Sequence, residues 1–169
     1  MKAFKILENK NFMSRFLMSD AFDDFLLAEA NITTYNTFVI DGHIVSDFYK
    51  NNEYDAETTQ TPYVFSTWKD MRGICFELIK GKRTPVSFRF TLHLKPELIE
   101  TLLSESEAAL SSKNLAAYVL NVKYQDGVVS LVSAVSYQSF ILDKTLDILW
   151  DNYLQTFLIS KGISFDEMI

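Results

Sequence analysis

The spacing of apolar residues along the chain predicts three amphipathic helices. In the segments Asn9 to Met18, Trp68 to Lys80 and Asp143 to Lys161, apolar side chains return every three or four residues, so each segment has one apolar face. A short fourth helix is expected to start at Pro96, since proline suits the first helical position. The apolar face of the second helix consists of Trp68, Met71, Cys75, Leu78 and Ile79.

Alternation of apolar and polar residues, strong in some segments and weak in others such as Met1 to Ile6, predicts strands elsewhere. The clearest is Pro85 to Leu94, where every second residue from Val86 onward is apolar. Further strands are expected in the segments Met1 to Ile6, Phe25 to Thr34, Leu115 to Tyr124, Val128 to Val135 and Tyr137 to Leu142.

Two Asp-Gly pairs predict tight hairpin turns. Asp41-Gly42 separates the apolar runs Tyr35 to Ile40 and His43 to Tyr49, and Asp126-Gly127 separates two of the later strands. Asp-Gly is favoured in two-residue hairpins because both residues must adopt positive φ. The polar segment Asn51 to Thr61 is expected to be a loop.

This element order predicts a single α+β domain over residues 1–169, with antiparallel sheets and helices on one face. Residues 1–50 and 62–142 share an order of strand, helix and strands, and residues 143–161 add a C-terminal amphipathic helix. Because no residues repeat between the two halves, the pseudo-repeat is one of element order only.

Three stretches resemble a family of uncharacterised bacterial cytosolic proteins known as a domain of unknown function. They are MKAFKILENKNFM at the start, TWKDMRGICFELIKGKRTP in the middle and LDKTLDILWD at the start of the last helix. The resemblance covers most of the chain. Because the family has no known function, the resemblance does not indicate an activity or a cofactor.

The order of elements also resembles one domain of a sliding DNA clamp, which contains two strand-helix-three-strand units. The resemblance rests on topology, because the chain carries no clamp residue motif. The chain departs from the clamp pattern by the insertion Lys95 to Asn114 and by the extra helix Asp143 to Lys161.

Composition excludes several classes of protein. Among 169 residues, 48% are hydrophobic and one is cysteine, which excludes a disordered chain, a disulfide scaffold and a cysteine-based zinc cluster. A net charge of -6 disfavours electrostatic wrapping of nucleic acid, although it leaves room for a local basic face. The first ten residues have no apolar signal-peptide core, and no apolar stretch reaches membrane-spanning length. We therefore expect a cytoplasmic protein that does not enter a membrane.

Three features with catalytic or ligand-binding potential have simpler interpretations. Cys75 lies on an apolar helix face and is expected to be buried and inert rather than reactive. Asp143, Asp147 and Asp151 recur every four residues, which is compatible with a cation site but more typical of a solvated polar face. The segment from Gly81 to Thr84 faintly resembles a P-loop, but it follows a helix instead of opening one. No cofactor or metal is expected.

One face of the second helix is a candidate binding surface. It lies opposite the apolar face, and two further cations follow directly after the helix. Such a face can contact a phosphate backbone or an acidic partner; the alternative is ordinary solvent-facing charge, with the aromatic residue packed under the loop Asn51 to Thr61. The candidate residues are Lys69, Arg72, Phe76, Lys80, Lys82 and Arg83.

Two classes of function remain open from sequence. The first is a non-enzymatic interaction module that binds a protein or nucleic acid, with a homodimer as one arrangement. The second is a small enzyme or ligand-binding protein that uses His43 or His93 in a pocket between sheet and helices. A concave pocket holding a histidine would favour the enzyme, and an apolar or basic patch would favour the module.

Overall fold

One open antiparallel sheet of eight strands organises the computed structural model, which describes residues 1–49, 63–106 and 113–168. The described helices are α1 (Asn9–Met18), α2 (Trp68–Ile79), α3 (Pro96–Ser104) and α4 (Thr145–Ser160), with a 3-10 turn at Ser46–Phe48. The strands are β1 (Ala3–Ile6), β2 (Phe25–Thr33), β3 (Thr37–Asp41), β4 (Ser66–Thr67), β5 (Ser87–Leu94), β6 (Leu115–Gln125), β7 (Val128–Tyr137) and β8 (Phe165–Met168).

The strands follow the order β3-β2-β5-β6-β7-β1-β8, and β4 pairs with β2 beyond the end of β3. The first strand therefore pairs between the last two strands of the chain, with Phe4 opposite both Leu131 and Glu167. The two ends of the chain therefore lie side by side in the sheet, and the packing of β1 depends on residues more than 120 positions away.

Alternation within the strands decides which face of the sheet is covered. On β5, Phe88, Phe90 and Leu92 are buried, whereas the intervening side chains lie on the other face. Helices α1, α2 and α4 pack on the apolar face, so the prediction of an α+β fold with helices on one face is confirmed. Two aromatic stacks join helices to each other and to the sheet, Phe16 with Trp68 at 4.3 Å and Tyr118 with Trp150 at 4.8 Å between ring centres.

Of the two predicted Asp-Gly turns, the second is confirmed and the first is wrong. Asp126 and Gly127 have φ values of 53° and 78°, and they join β6 to β7 as a two-residue turn. Gly42, by contrast, does not have positive φ and follows directly on β3. Its N–H donates to the Ala28 carbonyl at 2.9 Å, so the chain continues along the edge of β2 instead of turning back.

Near the chain ends the strand pattern also differs from expectation. The strand predicted at Tyr137 to Leu142 is wrong, because β7 already ends at Tyr137 and no strand follows it before α4. Strand β8 was not expected, and it forms by pairing with β1. The loop predicted at Asn51 to Thr61 lies outside the described residues. The division into halves 1–50 and 62–142 stays a prediction.

No helix among the described residues is both long enough and apolar enough to cross a membrane.

Candidate functional site

A cleft of about 400 Å³ lies between α1, the C-terminal end of α2 and the segment 80–85 that follows α2. Its floor is apolar and buried, formed by Leu17 of α1, Phe88 of β5 and Val129 of β7. Its walls are half-buried side chains that pack against the core without being covered: Met13, Phe76 and Ile79. The cleft therefore offers an apolar surface that the described part of the fold leaves open.

Helices α1 and α2 are packed together where the end of α1 meets the start of α2. The Trp68 indole stacks on Phe16 and donates its Nε1–H to the Phe16 carbonyl at 2.9 Å, which fixes the start of α2 against the end of α1. At the other end of α1, the Asn9 side chain donates to the Gly127 carbonyl at 2.8 Å. Phe76 and Ile79, in the last turns of α2, thus face α1 across an open cleft.

Directly after α2 the chain turns away and brings cations to the rim. Gly81 has a φ of 141°, a conformation that residues with a Cβ rarely adopt. The residues on either side are exposed, and together with α1 they place four cations around the apolar floor: Lys10, Lys80, Lys82 and Arg83.

The rim has a net positive charge, although the whole chain has a net charge of -6. No aspartate or glutamate lines the cleft within the described residues. Lys80 is partly neutralised, since its Nζ lies 2.6 Å from the Glu77 carboxylate and 5.9 Å from the centre of the Phe76 ring. The side chains of Lys10, Lys82 and Arg83 form no ion pair with any other described residue. An anion that reaches the rim would meet three uncompensated cations.

The structure divides the six candidate residues into two groups. Phe76, Lys80, Lys82 and Arg83 line the cleft, and Lys69 and Arg72 do not. Arg72 instead donates to the Asp23 carboxylate at 2.5 Å and so connects α2 to the residues before β2. Phe76 is half-buried at the cleft wall. It is therefore neither fully exposed nor part of the core.

Helix α1 contributes six residues to the cleft, and none of them is among the candidates predicted from sequence. Lys10 and Met13 are three residues apart on α1 and so share its face toward the cleft. The helical spacing was visible in the sequence, but it does not show which second helix lies opposite. The packing of Trp68 on Phe16 supplies that information.

The environment of Cys75 confirms that it is buried. Its side chain is fully inaccessible, and burial raises the pKa of the thiol to about 12. Cys75 therefore belongs to the core of α2 and not to the neighbouring cleft.

Asp143, which precedes α4, and Asp147 and Asp151 within it do not form a cation site. Asp143 accepts a hydrogen bond from the Thr145 backbone N–H at 2.9 Å, and Asp147 accepts one from the Tyr137 hydroxyl. Asp151 is buried and accepts a hydrogen bond from the Ser133 hydroxyl, so the expectation of a solvated face is wrong for this residue. Within the described ranges, no group of three or more histidine, cysteine, aspartate or glutamate side chains is placed to hold a metal ion.

The two histidines lie on either side of Phe65. Ring centres are 4.5 Å apart for His43 and Phe65, and 4.9 Å apart for Phe65 and His93. The His43 Nδ1 lies 2.6 Å from the Asp41 carboxylate. Burial, and then the nearby His43, lower the pKa of His93. Neither histidine lines the cleft at α1 and α2.

Comparison with protein-family models gives a match over most of the chain. A family model described as a family of unknown function (DUF5721) matches residues 15–166. No curated protein matches the chain, and no solved structure matches it.

Proposed function

The chain belongs to DUF5721, a family of unknown function, and we propose that it is a non-enzymatic interaction module. Its cleft binds an acidic segment of a protein partner that carries apolar anchor side chains. The observation that carries this proposal is an open apolar cleft whose rim holds four cations and whose described lining holds no carboxylate.

The floor and walls of the cleft suit apolar anchors. A volume of about 400 Å³ falls within the ~300–1,000 Å³ range of ordinary ligand sites, which are mostly apolar with a few placed polar groups. Burying the exposed parts of Met13, Phe76 and Ile79 under a partner side chain removes apolar surface from water. Each Å² removed contributes roughly 25 cal/mol of favourable binding free energy. An aromatic or aliphatic anchor seated in such a pocket is the usual centre of a binding interface.

The rim suits an acidic partner and sets the rate and specificity of binding more than its strength. Exposed cations such as Lys82 and Arg83 steer an anionic segment toward the cleft, and salt screens this effect. A basic segment would meet like charge at the same rim. The positive charges of Lys10, Lys82 and Arg83 therefore favour a partner segment with net negative charge.

Nucleic acid fits the same helices less well. The solvent-facing side of α2 carries Asp70 and Glu77 beside Lys69 and Lys80. A phosphate backbone lying along α2 would therefore meet carboxylates as often as cations. The resemblance to a sliding clamp concerns only the architecture, in which helices pack on an antiparallel sheet. The proposed function does not include holding DNA.

The proposed setting is the bacterial cytoplasm, in keeping with the family resemblance and with a single cysteine in the chain. One chain supplies the whole cleft, so binding does not require a homodimer. A homodimer would add avidity without changing the residues that make contact.

A displayed library of random 12-residue peptides tests the proposal. We expect selection on the wild-type protein to enrich peptides with net negative charge and at least one Phe, Leu, Ile or Trp. A dye-labelled copy of the leading peptide should bind in a fluorescence anisotropy assay, and its affinity should fall as salt rises. Replacing its apolar residues by serine should weaken binding at least tenfold, and replacing its acidic residues by glutamine should weaken it several-fold.

Matched variants locate the contact. Lys82→Gln and Arg83→Gln should each weaken binding several-fold, whereas Lys69→Gln, which removes an equal charge outside the cleft, should leave it unchanged. Phe76→Leu should keep the fold and weaken binding by losing the aromatic wall. Enrichment of basic or neutral peptides, no enrichment at all, equal losses in Lys69→Gln and Lys82→Gln, or tighter binding of a 20-nucleotide single-stranded DNA would overturn the proposal.

A further inference from the structure

The face of the sheet away from α1 and α2 carries two cations directly opposite each other. In the antiparallel register of β5 and β6, Arg89 pairs with Lys123. Both side chains are exposed, and they alternate with residues such as Phe90 and Val122 that lie in the core. Asn31 of β2 is opposite Arg89 on its other side.

This placement is unfavourable unless something compensates the charge. Directly opposed residues on antiparallel strands have Cβ atoms only about 4.5–5.5 Å apart, and like charges at this distance destabilise the pair. No carboxylate among the described residues forms an ion pair with Arg89 or Lys123. The nearby Glu29 carboxylate accepts a hydrogen bond from the Asn31 side chain at 3.3 Å.

A third cation, at the same level across the strands of the sheet, lies opposite a carboxylate. Lys5 of β1 lies opposite Asp166 of β8, so the register places a cation and a carboxylate, and not two cations, directly across from each other. Arg89 and Lys123 have no such neighbour within the described part of the sheet. The contrast singles out the β5–β6 pair as a place where an external anion would be stabilising.

The surroundings of the two cations form a recess of about 310 Å³. Its lining includes hydroxyl and amide side chains that can donate hydrogen bonds, and it includes no carboxylate among the described residues. Besides the aromatic residues Phe88 and Tyr124, which also line the α1–α2 cleft, the lining consists of Asn31, Thr33, Ser87, Arg89, Lys123 and Gln125.

We propose that this recess binds the phosphomonoester group of a small phosphorylated ligand. A phosphomonoester has about two negative charges near neutral pH and three strong acceptor oxygens, which match two adjacent cations and several donors. The planar guanidinium of Arg89 donates to two phosphate oxygens at once, while Lys123 acts as a point charge on the third. A phosphodiester, with one negative charge per phosphate, leaves one of the two cations uncompensated. The site does not depend on the proposed role of the α1–α2 cleft.

Thermal unfolding in matched salts tests the site. The wild-type protein is melted at pH 7.5 in sodium chloride and in mixtures of sodium chloride and sodium phosphate at the same total ionic strength, with phosphate varied over a hundredfold range. We expect specific binding to raise the melting temperature by about 3–6 °C at a phosphate concentration tenfold above Kd. Phosphate also stabilises proteins in general, and this effect is the same in all variants. The rise measured in variants that lack the site is therefore subtracted from the rise measured in the wild type.

Single-charge variants separate specific binding from that general effect. Arg89→Gln and Lys123→Gln should lose the phosphate-specific rise and should melt slightly higher than the wild type in chloride, because the repulsion is gone. Lys82→Gln and Lys5→Gln should keep the rise. An equal phosphate effect in all five proteins would overturn the proposal.

The class of ligand is tested with two further probes and a second pH. Glycerol 3-phosphate should reproduce the effect of inorganic phosphate, and both should weaken at pH 5.5, where the second phosphate proton is bound. A single-stranded DNA oligonucleotide that stabilises the protein more strongly than glycerol 3-phosphate, through the same two residues, would contradict a small phosphomonoester. Because none of these readouts uses the peptide, failure here leaves the proposed function of the cleft intact.

Discussion

Replacing Gly42 by alanine should be one of the most damaging small changes in the chain. An added Cβ would lie 1.7 Å from the Leu27 carbonyl oxygen and 3.0 Å from the Ala28 carbonyl oxygen, both in the backbone of β2. Those atoms are held in place because β2 pairs with β5 along its other edge. Gly42 is therefore required for close approach of two backbones, and not for positive φ.

The size of the effect follows from these contacts. Overpacking of this kind costs about 1–3 kcal/mol. Separating the backbones also disturbs two hydrogen bonds, from the Gly42 N–H to the Ala28 carbonyl at 2.9 Å and from the Ser66 N–H to the Gly42 carbonyl at 2.8 Å. Each is worth about 1 kcal/mol. We expect Gly42→Ala to lower the free energy of unfolding by about 3–5 kcal/mol, which is a fall of at least ~6 °C in melting temperature.

Urea denaturation followed by tryptophan fluorescence provides the assay, since Trp68 and Trp150 are both fully buried. Gly73→Ala is the matched control. Gly73 lies within α2 with nothing within 4 Å of an added Cβ, so alanine there should stabilise the protein by about 0.5–1 kcal/mol. A loss of 1 kcal/mol or less in Gly42→Ala would refute the close-approach argument.

Three further predictions concern separate parts of the fold. Gly127→Ala should cost only about 1 kcal/mol, because an added Cβ meets open space and only the φ of 78° is unfavourable; a loss in the urea assay as large as that of Gly42→Ala would contradict this. Cys75 should react with a thiol reagent at pH 8 only as fast as the protein unfolds, since burial raises its pKa to about 12; rapid labelling of the native protein would show the thiol to be accessible. Burial lowers the pKa of His93, so the unfolded chain binds this proton first as the pH falls below about 6.5, and stability should decrease in that window. His93→Gln should flatten the dependence of the urea midpoint between pH 7.5 and 5, and an unchanged slope would remove His93 as its source.

Elements whose signals are local could be predicted from the sequence. Helix α1 has the expected bounds Asn9–Met18, and α2 starts at Trp68 as its apolar spacing indicates. The turn at Asp126-Gly127 follows from the backbone preferences of two adjacent residues. Each of these depends on side chains within one or two helical turns, or within one hairpin.

Features that depend on distant pairing could not be predicted. Strand β8 has one half-buried and three exposed residues, and it forms because β1 offers a partner edge. The Asp41-Gly42 pair has the sequence of a hairpin turn, but contact with β2 overrides that preference.

The candidate site shows the same limit. The sequence shows the cations in and after α2, but contacts with distant residues decide which of them remain available to a ligand. Arg72 is taken by Asp23, which is 49 residues away, and Lys10 joins the cleft only through the packing of α1 on α2. The opposition of Arg89 and Lys123 likewise exists only in the register of β5 and β6.

The most direct test of the central proposal is a map of where an acidic peptide binds. The ¹⁵N-labelled protein is titrated with the leading peptide from the display selection, and backbone amide shifts are followed by NMR. We predict the largest changes at Met13, Ile79 and Lys82, around the cleft. Changes at Arg89 and Lys123 should be smaller, because only their neighbours Phe88 and Tyr124 line the cleft, and their own side chains lie on the opposite face of the sheet. Saturable shifts confined to Arg89 and Lys123, with the amides around the cleft unmoved, would contradict the proposal.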